Sequence, residues 1–292
     1  MSEIIRWSAV ETSAHIRARD VSVTEVTRAH LTRMTDANPA LNAVTHMIDE
    51  ALGLAKSMDA QGIPDDPSPL YGVPVTVKVN IDMAGYPNTN GIPAFKDMTG
   101  DGDAPVVANL KSSGAVIIAR TNTPEFSMRW CTSNPLHGVS LNPWNTDITP
   151  GGSSGAAAAS VASGIGAIAH GNDLGGSLRY PAYCCGVTTI RPSNGRIAAM
   201  NPNAPADRPP ITFSMSVQGP IARTVADVRA GLQVMSKRDP RDPFQVNALN
   251  SGRPRGKEIT LGIATNPFAS HVDDAVLNAM THATKAAHSA GI

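Results

Sequence analysis

The sequence predicts an α/β fold, a mixed, largely parallel β-sheet core flanked by α-helices. Three observations carry that expectation. Short apolar runs, Pro74-Val75-Thr76-Val77 and Ala115-Val116-Ile117-Ile118-Ala119, have the length and two-sided hydrophobicity of strands buried on both faces. Segments with helix-start signals and apolar residues at helical spacing fall between such runs. The two kinds of segment alternate along the chain, as strand–helix–strand units do.

Taken in order, Ser22-Val23-Thr24-Glu25 is a capping-box pattern, and Val26, Ala29, Leu31 and Met34 follow at helical spacing. This predicts a helix near 23–35. A Pro/Asp-rich loop at 62–69 then divides a helical lead-in, residues 1–62, from an α/β core, residues 63–292. The core opens on the run carrying Lys78. Asp103 is placed to cap a helix through Leu110, with Gly114 ending it ahead of the strand at 115–119. Ser153 or Ser154 is placed to cap a small-residue helix, Ala156 to Ala162, which breaks at Gly164 and gives way to a strand at 165–169. Val187 to Ile190 is a further strand candidate, and the Pro/Asn-rich stretch 191–210 reads as a loop at a pocket rim. A helix capped at Thr224, a strand at Ile259–Ile263 and a helix from Asp273 to Ser289 complete the pattern. It stops at Gly291-Ile292, where a next element would begin, so the core is expected to be incomplete at the C-terminus.

Composition narrows the function. The 24 Lys and Arg balance the 24 Asp and Glu, and no basic run stands out, so neither nucleic acid nor an anionic membrane is an expected partner. The N-terminus has no signal-peptide pattern and no stretch is long enough for a membrane span, so a cytoplasmic location is expected. Cys131, Cys184 and Cys185 lack C-x-x-C spacing and read as buried free thiols. The 8 histidines form no metal-ligand pair, and no metal site is expected.

Two serine-bearing glycine turns carry the chemistry: Gly151-Gly152-Ser153-Ser154-Gly155 and Asp173-Leu174-Gly175-Gly176-Ser177. Each sets unshielded backbone N–H groups beside a hydroxyl, the equipment for attacking a carbonyl and holding the oxyanion. Lys78, alone in an apolar strand, would lose its hydration, and burial favours the neutral amine. By itself such a lysine reads equally as one whose amine snorkels to water. The first turn also fits G-x-S-x-G, but Pro143, Pro150 and the polar residues before it rule out the strand that a nucleophile elbow requires. Gly164 to Ala169 fits G-x-G-x-x-A but follows a helix rather than a strand, so a packing turn accounts for it. Neither phosphate-loop nor S-x-x-K signatures occur.

Lys78, Ser153 and Ser177 together resemble the amidase signature family. The likeness runs from Gly72-Val73-Pro74-Val75-Thr76-Val77-Lys78 through Thr149 to Gly155 and Asp173 to Ala182, with Arg191-Pro192 and Gly195-Arg196 beyond. It implies that Ser177 is the nucleophile, that Ser153 sits on a cis peptide and relays the proton, and that Lys78 is the ultimate base. It further implies an oxyanion hole in the backbone N–H groups of Leu174, Gly175, Gly176 and Ser177. Ser154 is expected to hydrogen-bond the loop, and Asp173 with Arg179 to form a buried pair bracing the second turn. The chain departs from the family pattern at Val79, Ala156 and Asn172, which leaves every hydroxyl, the amine and every oxyanion donor in place.

The resemblance therefore implies an amidase of the amidase-signature fold, its C-terminal part absent, cleaving a small-molecule amide to carboxylate and ammonia or amine through a serine acyl-enzyme and without a cofactor. A glutamine amidohydrolase subunit of a tRNA-dependent amidotransferase is the alternative within enzymes, although Asn122-Thr123-Pro124-Glu125-Phe126 looks more like stand-alone amidases. A non-catalytic fragment retaining the fold is the alternative outside them. A homodimer is left open.

Overall fold

The computed structural model describes residues 3–203, 209–246, 260–265 and 271–292. They belong to two compact units, Met1–Ala248 and Leu249–Ile292. The first opens with helices α1 (Ala9–Ala18) and α2 (Val23–Leu41). Each starts on a reciprocal capping box, Ser8 with Glu11 and Ser22 with Glu25, which satisfies backbone donors that a helix start leaves free. The second is the expected helix, and it runs on past residue 35 to Leu41. Strand β1 (Val44–Met47) and helix α3 (Ala51–Gln61) complete the lead-in.

The core continues with β2 (Pro74–Lys78), α4 (Pro105–Ser112) and β3 (Val116–Thr121), then a small hairpin of β4 (Ser133–Asn134) and β5 (Gly138–Val139). After it come α5 (Gly155–Ala162), β6 (Ile168–Asp173), α6 (Arg179–Cys185), β7 (Thr188–Thr189), α7 (Pro210–Met215), β8 (Val217–Ala222) and α8 (Val225–Met235). Among the described residues the main sheet has the order β1-β3-β2-β6-β8-β7. Its centre, β3-β2-β6, is parallel, whereas β1, β8 and β7 join antiparallel. Strands β2 and β3 are buried at every position, as their uninterrupted apolar sequences require. The sheet is thus mixed, with its parallel part where the apolar runs are.

Helix α5 packs on β2, β6 and β8. Ala156, Ala157, Ala158 and Ala159 are fully buried, and their small side chains let the helix lie close enough for Ser160 Oγ to sit 3.1 Å from Thr76 Oγ1. Side chains two apart on a strand share a face, so Lys78 lies on the same α5-covered side of β2 as Thr76. That side leads to the turn from which α5 starts.

Several local expectations are corrected. Asp103 does not cap α4, whose N-cap position is Ala104; its carboxylate accepts from Ala84 N–H at 2.9 Å and pairs with Lys111. Ser154 stands at the N-cap position of α5, yet neither its side chain nor that of Ser153 caps the helix, because both hydroxyls bond to Lys78. The strand expected at 165–169 begins only at Ile168 and extends to Asp173, and the strand expected at 187–190 is reduced to Thr188–Thr189. Of the three cysteines, all free, only Cys185 is buried. Thr224 does cap α8, accepting from Asp227 N–H.

In the second unit α9 (Asp274–Ser289) begins on Asp273, whose side chain accepts from Ala275 N–H at 2.8 Å, as expected. Thr260 to Ile263 form no strand, since nothing pairs with them; Ile259 lies outside the described residues.

Candidate active site

Lys78 ends β2 with no solvent exposure. Its Nζ lies 2.6 Å from Ser153 Oγ, 2.8 Å from Asn172 Oδ1 and 3.1 Å from Ser154 Oγ. All three neighbours are neutral oxygens, and among the described residues Lys78 makes no ion pair. Burial holds its pKa well below the ordinary lysine value, with the charge of Asp173 opposing the shift. The strand lysine is a buried amine, not a snorkelling one.

Ser153 is fully buried, and the Gly152–Ser153 peptide bond is cis. Gly152 has no room for a side chain: a Cβ there would lie 2.6 Å from Arg129 O and from Cys131 N. Thr132 Oγ1 fastens the turn by donating to Gly151 O at 2.9 Å and accepting from Gly155 N–H at 3.2 Å. Ser154 Oγ donates to Asn172 O and accepts from Asn172 N–H, so it does bond the neighbouring backbone as expected.

The second turn follows β6. Ser177 is 8 % exposed, and its carbonyl accepts from Ser154 N–H at 3.3 Å, which ties the two serine turns together. Among the described residues Ser177 Oγ has no hydrogen-bond partner, and neither do the N–H groups of Leu174, Gly175 and Ser177. The Gly176 N–H differs, because it already donates to Asp173 Oδ1 at 2.8 Å.

Asp173, with a side chain fully buried, also accepts from Leu178 N–H at 3.0 Å and from Arg179 through Nε at 3.1 Å and Nη2 at 3.0 Å. Arg191 Nε lies 3.6 Å away. Burial by itself would raise the Asp173 pKa, but the Arg179 bonds and the turn N–H groups outweigh it and hold the carboxyl below its ordinary value. The expected pair exists but is only half buried, since the Arg179 side chain is 56 % exposed.

Sequence reasoning left Thr132, Asn80 and the bonding role of Asn172 unassigned. Asn172 Nδ2 donates to Asn80 Oδ1 at 3.0 Å, and Asn80 Nδ2 donates to Ser127 Oγ at 2.9 Å. A cavity of about 940 Å³ lies elsewhere, lined by Met58, Tyr71, Tyr86 and Lys111, and none of Lys78, Ser153 or Ser177 borders it. Among the described residues no cluster of His, Cys, Asp and Glu is suited to a metal ion.

A family model described as Amidase matches residues 25–292. The chain belongs to the amidase family. It is 54% identical over 281 residues to an indoleacetamide hydrolase of Bradyrhizobium diazoefficiens, a match covering 95% of this chain and 53% of that protein. It is 37% identical to a glutamyl-tRNA(Gln) amidotransferase subunit of Lawsonia intracellularis over 100% of this chain and 60% of that one. Solved amidase-family structures share the fold. A 6-aminohexanoate cyclic dimer hydrolase superposes with a TM-score of 0.75 at 30% identity, over 85% of this chain and 50% of that one. A bacterial aryl acylamidase of the amidase signature family does so with a TM-score of 0.75 at 32% identity, over 85% and 51%. The chain thus spans about half the length of the first of these curated relatives. The mixed α/β architecture inferred from the sequence is the fold of the family. Among the described residues no helix is long and apolar enough to cross a membrane.

Proposed function

We propose that this chain carries the acyl-transfer centre of an amidase that cleaves a carboxamide to a carboxylate and ammonia or an amine. The observation that carries the reading is the Lys78 amine, stripped of water and of any counter-charge, 2.6 Å from Ser153 Oγ. A serine hydroxyl is a weak nucleophile without a base, and a neutral buried amine is one. Ser177 Oγ attacks the carbonyl carbon and gives its proton to Ser153, whose own proton passes to Lys78 Nζ. The resulting oxyanion is met by the uncommitted N–H groups of Leu174, Gly175 and Ser177, each such donor contributing about 2.7–4 kcal/mol to the transition state. Gly176 contributes the turn geometry instead, its N–H being held by Asp173. The tetrahedral intermediate collapses as the proton returns through Ser153 to the leaving nitrogen, and water then opens the acyl-enzyme by the reverse relay.

The 54% identity to an indoleacetamide hydrolase supports an arylacetamide substrate. The exposed Trp130 ring supports it too: it lies beside Tyr180 with centroids 6.0 Å apart, and its backbone runs against Gly152. The amidotransferase relatives, at lower identity, support glutamine as the second reading.

Turnover of indole-3-acetamide, of simple aliphatic amides and of glutamine, measured side by side, separates the two. A serine-directed fluorophosphonate should label Ser177, as mapped by mass spectrometry. Ser177→Ala should abolish both label and turnover. Full labelling of that variant, or its retained activity, removes Ser177 from the role of nucleophile.

A further inference from the structure

Lys78 Nζ touches three oxygens, and a proton relay through Ser153 can use only one of them. A neutral amine has two hydrogens and one lone pair, so two neighbours must accept from it and the third must donate to it. Asn172 Oδ1 carries no hydrogen. Ser154 Oγ has its single hydrogen engaged with Asn172 O at 3.3 Å, and it therefore meets the amine as an acceptor. Only the Ser153 hydroxyl remains able to donate into the lone pair across the 2.6 Å contact.

The orientation of the Asn172 amide is itself fixed from outside. Ser127 Oγ donates to Asn90 Oδ1 at 3.3 Å, so it can only accept from Asn80 Nδ2. That turns Asn80 Oδ1 towards Asn172 Nδ2, and Asn172 Oδ1 towards Lys78. Phe126 and Ser127 adopt the left-handed backbone region, φ 50° and 59°, at the far end of this chain of amides. Holding two successive non-glycine residues there is costly and calls for a surrounding structure that enforces it.

Resting on the reading of Lys78 as the base, we propose that Asn172, oriented by Asn80 and Ser127, is a positioning residue that keeps the Lys78 lone pair directed at Ser153. It does so as an uncharged acceptor that cannot donate in return. The identity of the group matters as much as its place, because a carboxylate here would favour the ammonium, which has no lone pair to offer. The charged and titratable groups around the amine leave that position neutral. Asp173 follows Asn172 on β6 and is committed to Arg179, Arg191 and the turn N–H groups. His170, also on β6, is driven by burial down to about 3 and bonds Gln218. Arg120 on β3 reaches the Lys78 backbone carbonyl rather than its amine.

The test is Asn172→Asp in the full chain, a change of nearly constant shape. The rate needs the neutral amine, so raising the Lys78 pKa moves the acidic limb of kcat/KM to higher pH, by about 1–3 units for a carboxylate at this range. Activity should drop at least about tenfold near pH 7, which a shift of one unit already implies, and return on the alkaline side. Asn172→Leu, which removes the acceptor without adding charge, should lower kcat at every pH with little change in KM and no alkaline recovery. If the aspartate variant does not fold, Asn80→Leu frees the Asn172 amide from one residue further away and should also lower kcat. A pH profile of Asn172→Asp that superimposes on that of the wild type overturns the proposal, as does an Asn80→Leu variant with unaltered kcat. Failure of the wild-type chain to cleave any amide would instead overturn the reading of Lys78 as a base, so the two failures are distinguishable.

Discussion

Two basic side chains without solvent exposure sit on adjacent central strands, Lys78 at the end of β2 and Arg120 on β3. Arg120 pairs in register with Val77, so the two cations lie on opposite faces of the sheet. Burial lowers the pKa of both. Arg120 begins from so high a value that it comes down only to about 10 and stays a cation, helped by the charges of Asp82 and Asp103. It is held by backbone carbonyls, Ile81 O at 2.5 Å and Lys78 O at 3.3 Å, while its Nε and Nη1 have no partner. Lys78 starts lower, falls well below the lysine range and faces hydroxyl and amide oxygens. Equal burial thus makes a base of one side chain and leaves the other a structural cation. The difference comes from intrinsic basicity and from what the polar atoms can reach.

Lys78→Met breaks this contrast most severely. It keeps the volume and removes the lone pair, and kcat/KM should fall by at least about 10³-fold, as when a member of a catalytic triad is removed. Stability should not fall with it. In the wild type the native Lys78 pKa is depressed while the unfolded value is near 10.4, so in between the unfolded chain binds a proton that the native one does not. Stability therefore rises with pH across that window by about 1.4 kcal/mol per unit; the contribution is complete above about 10.4 and lost as pH falls through the native value. Urea melts at several alkaline pH values should show this slope in the wild type and a slope one proton shallower in the variant. A methionine variant with a tenth of wild-type activity, or with an undiminished slope, contradicts the assignment.

Arg120→Met should do the reverse. It leaves the carbonyls of Ile81 and Lys78 without their donor, at a cost of about 1–3 kcal/mol, partly offset because a buried charge with two unpartnered nitrogens is also removed. A lowered Tm with turnover within about fivefold of wild type is expected. Loss of turnover in a folded variant would show that the two cations are not separable, and that the far face of the sheet takes part in catalysis.

The same contrast explains what was legible in the sequence. Strands β2 and β3 announce themselves because both faces are apolar, and Ser22 and Glu25 announce α2 by a pattern with one local cause. Ser8 and Glu11 carry that same signal for α1. Strand β8 is hidden by Gly219 and Pro220, which read as breakers, yet the strand lies between β6 and β7. Helix α3 starts at Glu50 with no side-chain cap to mark it. In the site, the resemblance of three motifs to one family points to Lys78, Ser153 and Ser177. The contacts that decide how Lys78 is used join residues as far apart as Lys78 and Asn172 or Asn80 and Asn172. No local pattern encodes such pairs, and one sequence offers no trace of them until the strands are laid side by side.

The smallest effect is expected at the bracing pair, where a buried carboxylate meets a guanidinium open to solvent. Asp173 is held by two turn N–H groups and by Arg179, with Arg191 3.6 Å away. Arg179→Met removes only the exposed member, so turnover should fall by no more than about fivefold, as for exposed ion pairs. The Asp173 carboxyl, held low by the Arg179 bonds against the effect of its own burial, should titrate at a higher pH in that variant. The acid-side loss of activity should then begin at higher pH, with the neutral-pH rate little changed. Arg191 is placed to take up the vacated oxygen, so Arg179→Met combined with Arg191→Met should cost more than the two single changes together. Strict additivity would mean that the arginines act separately on Asp173. Loss of turnover in Arg179→Met alone would mean that the Gly176 and Leu178 N–H groups cannot hold the turn without it.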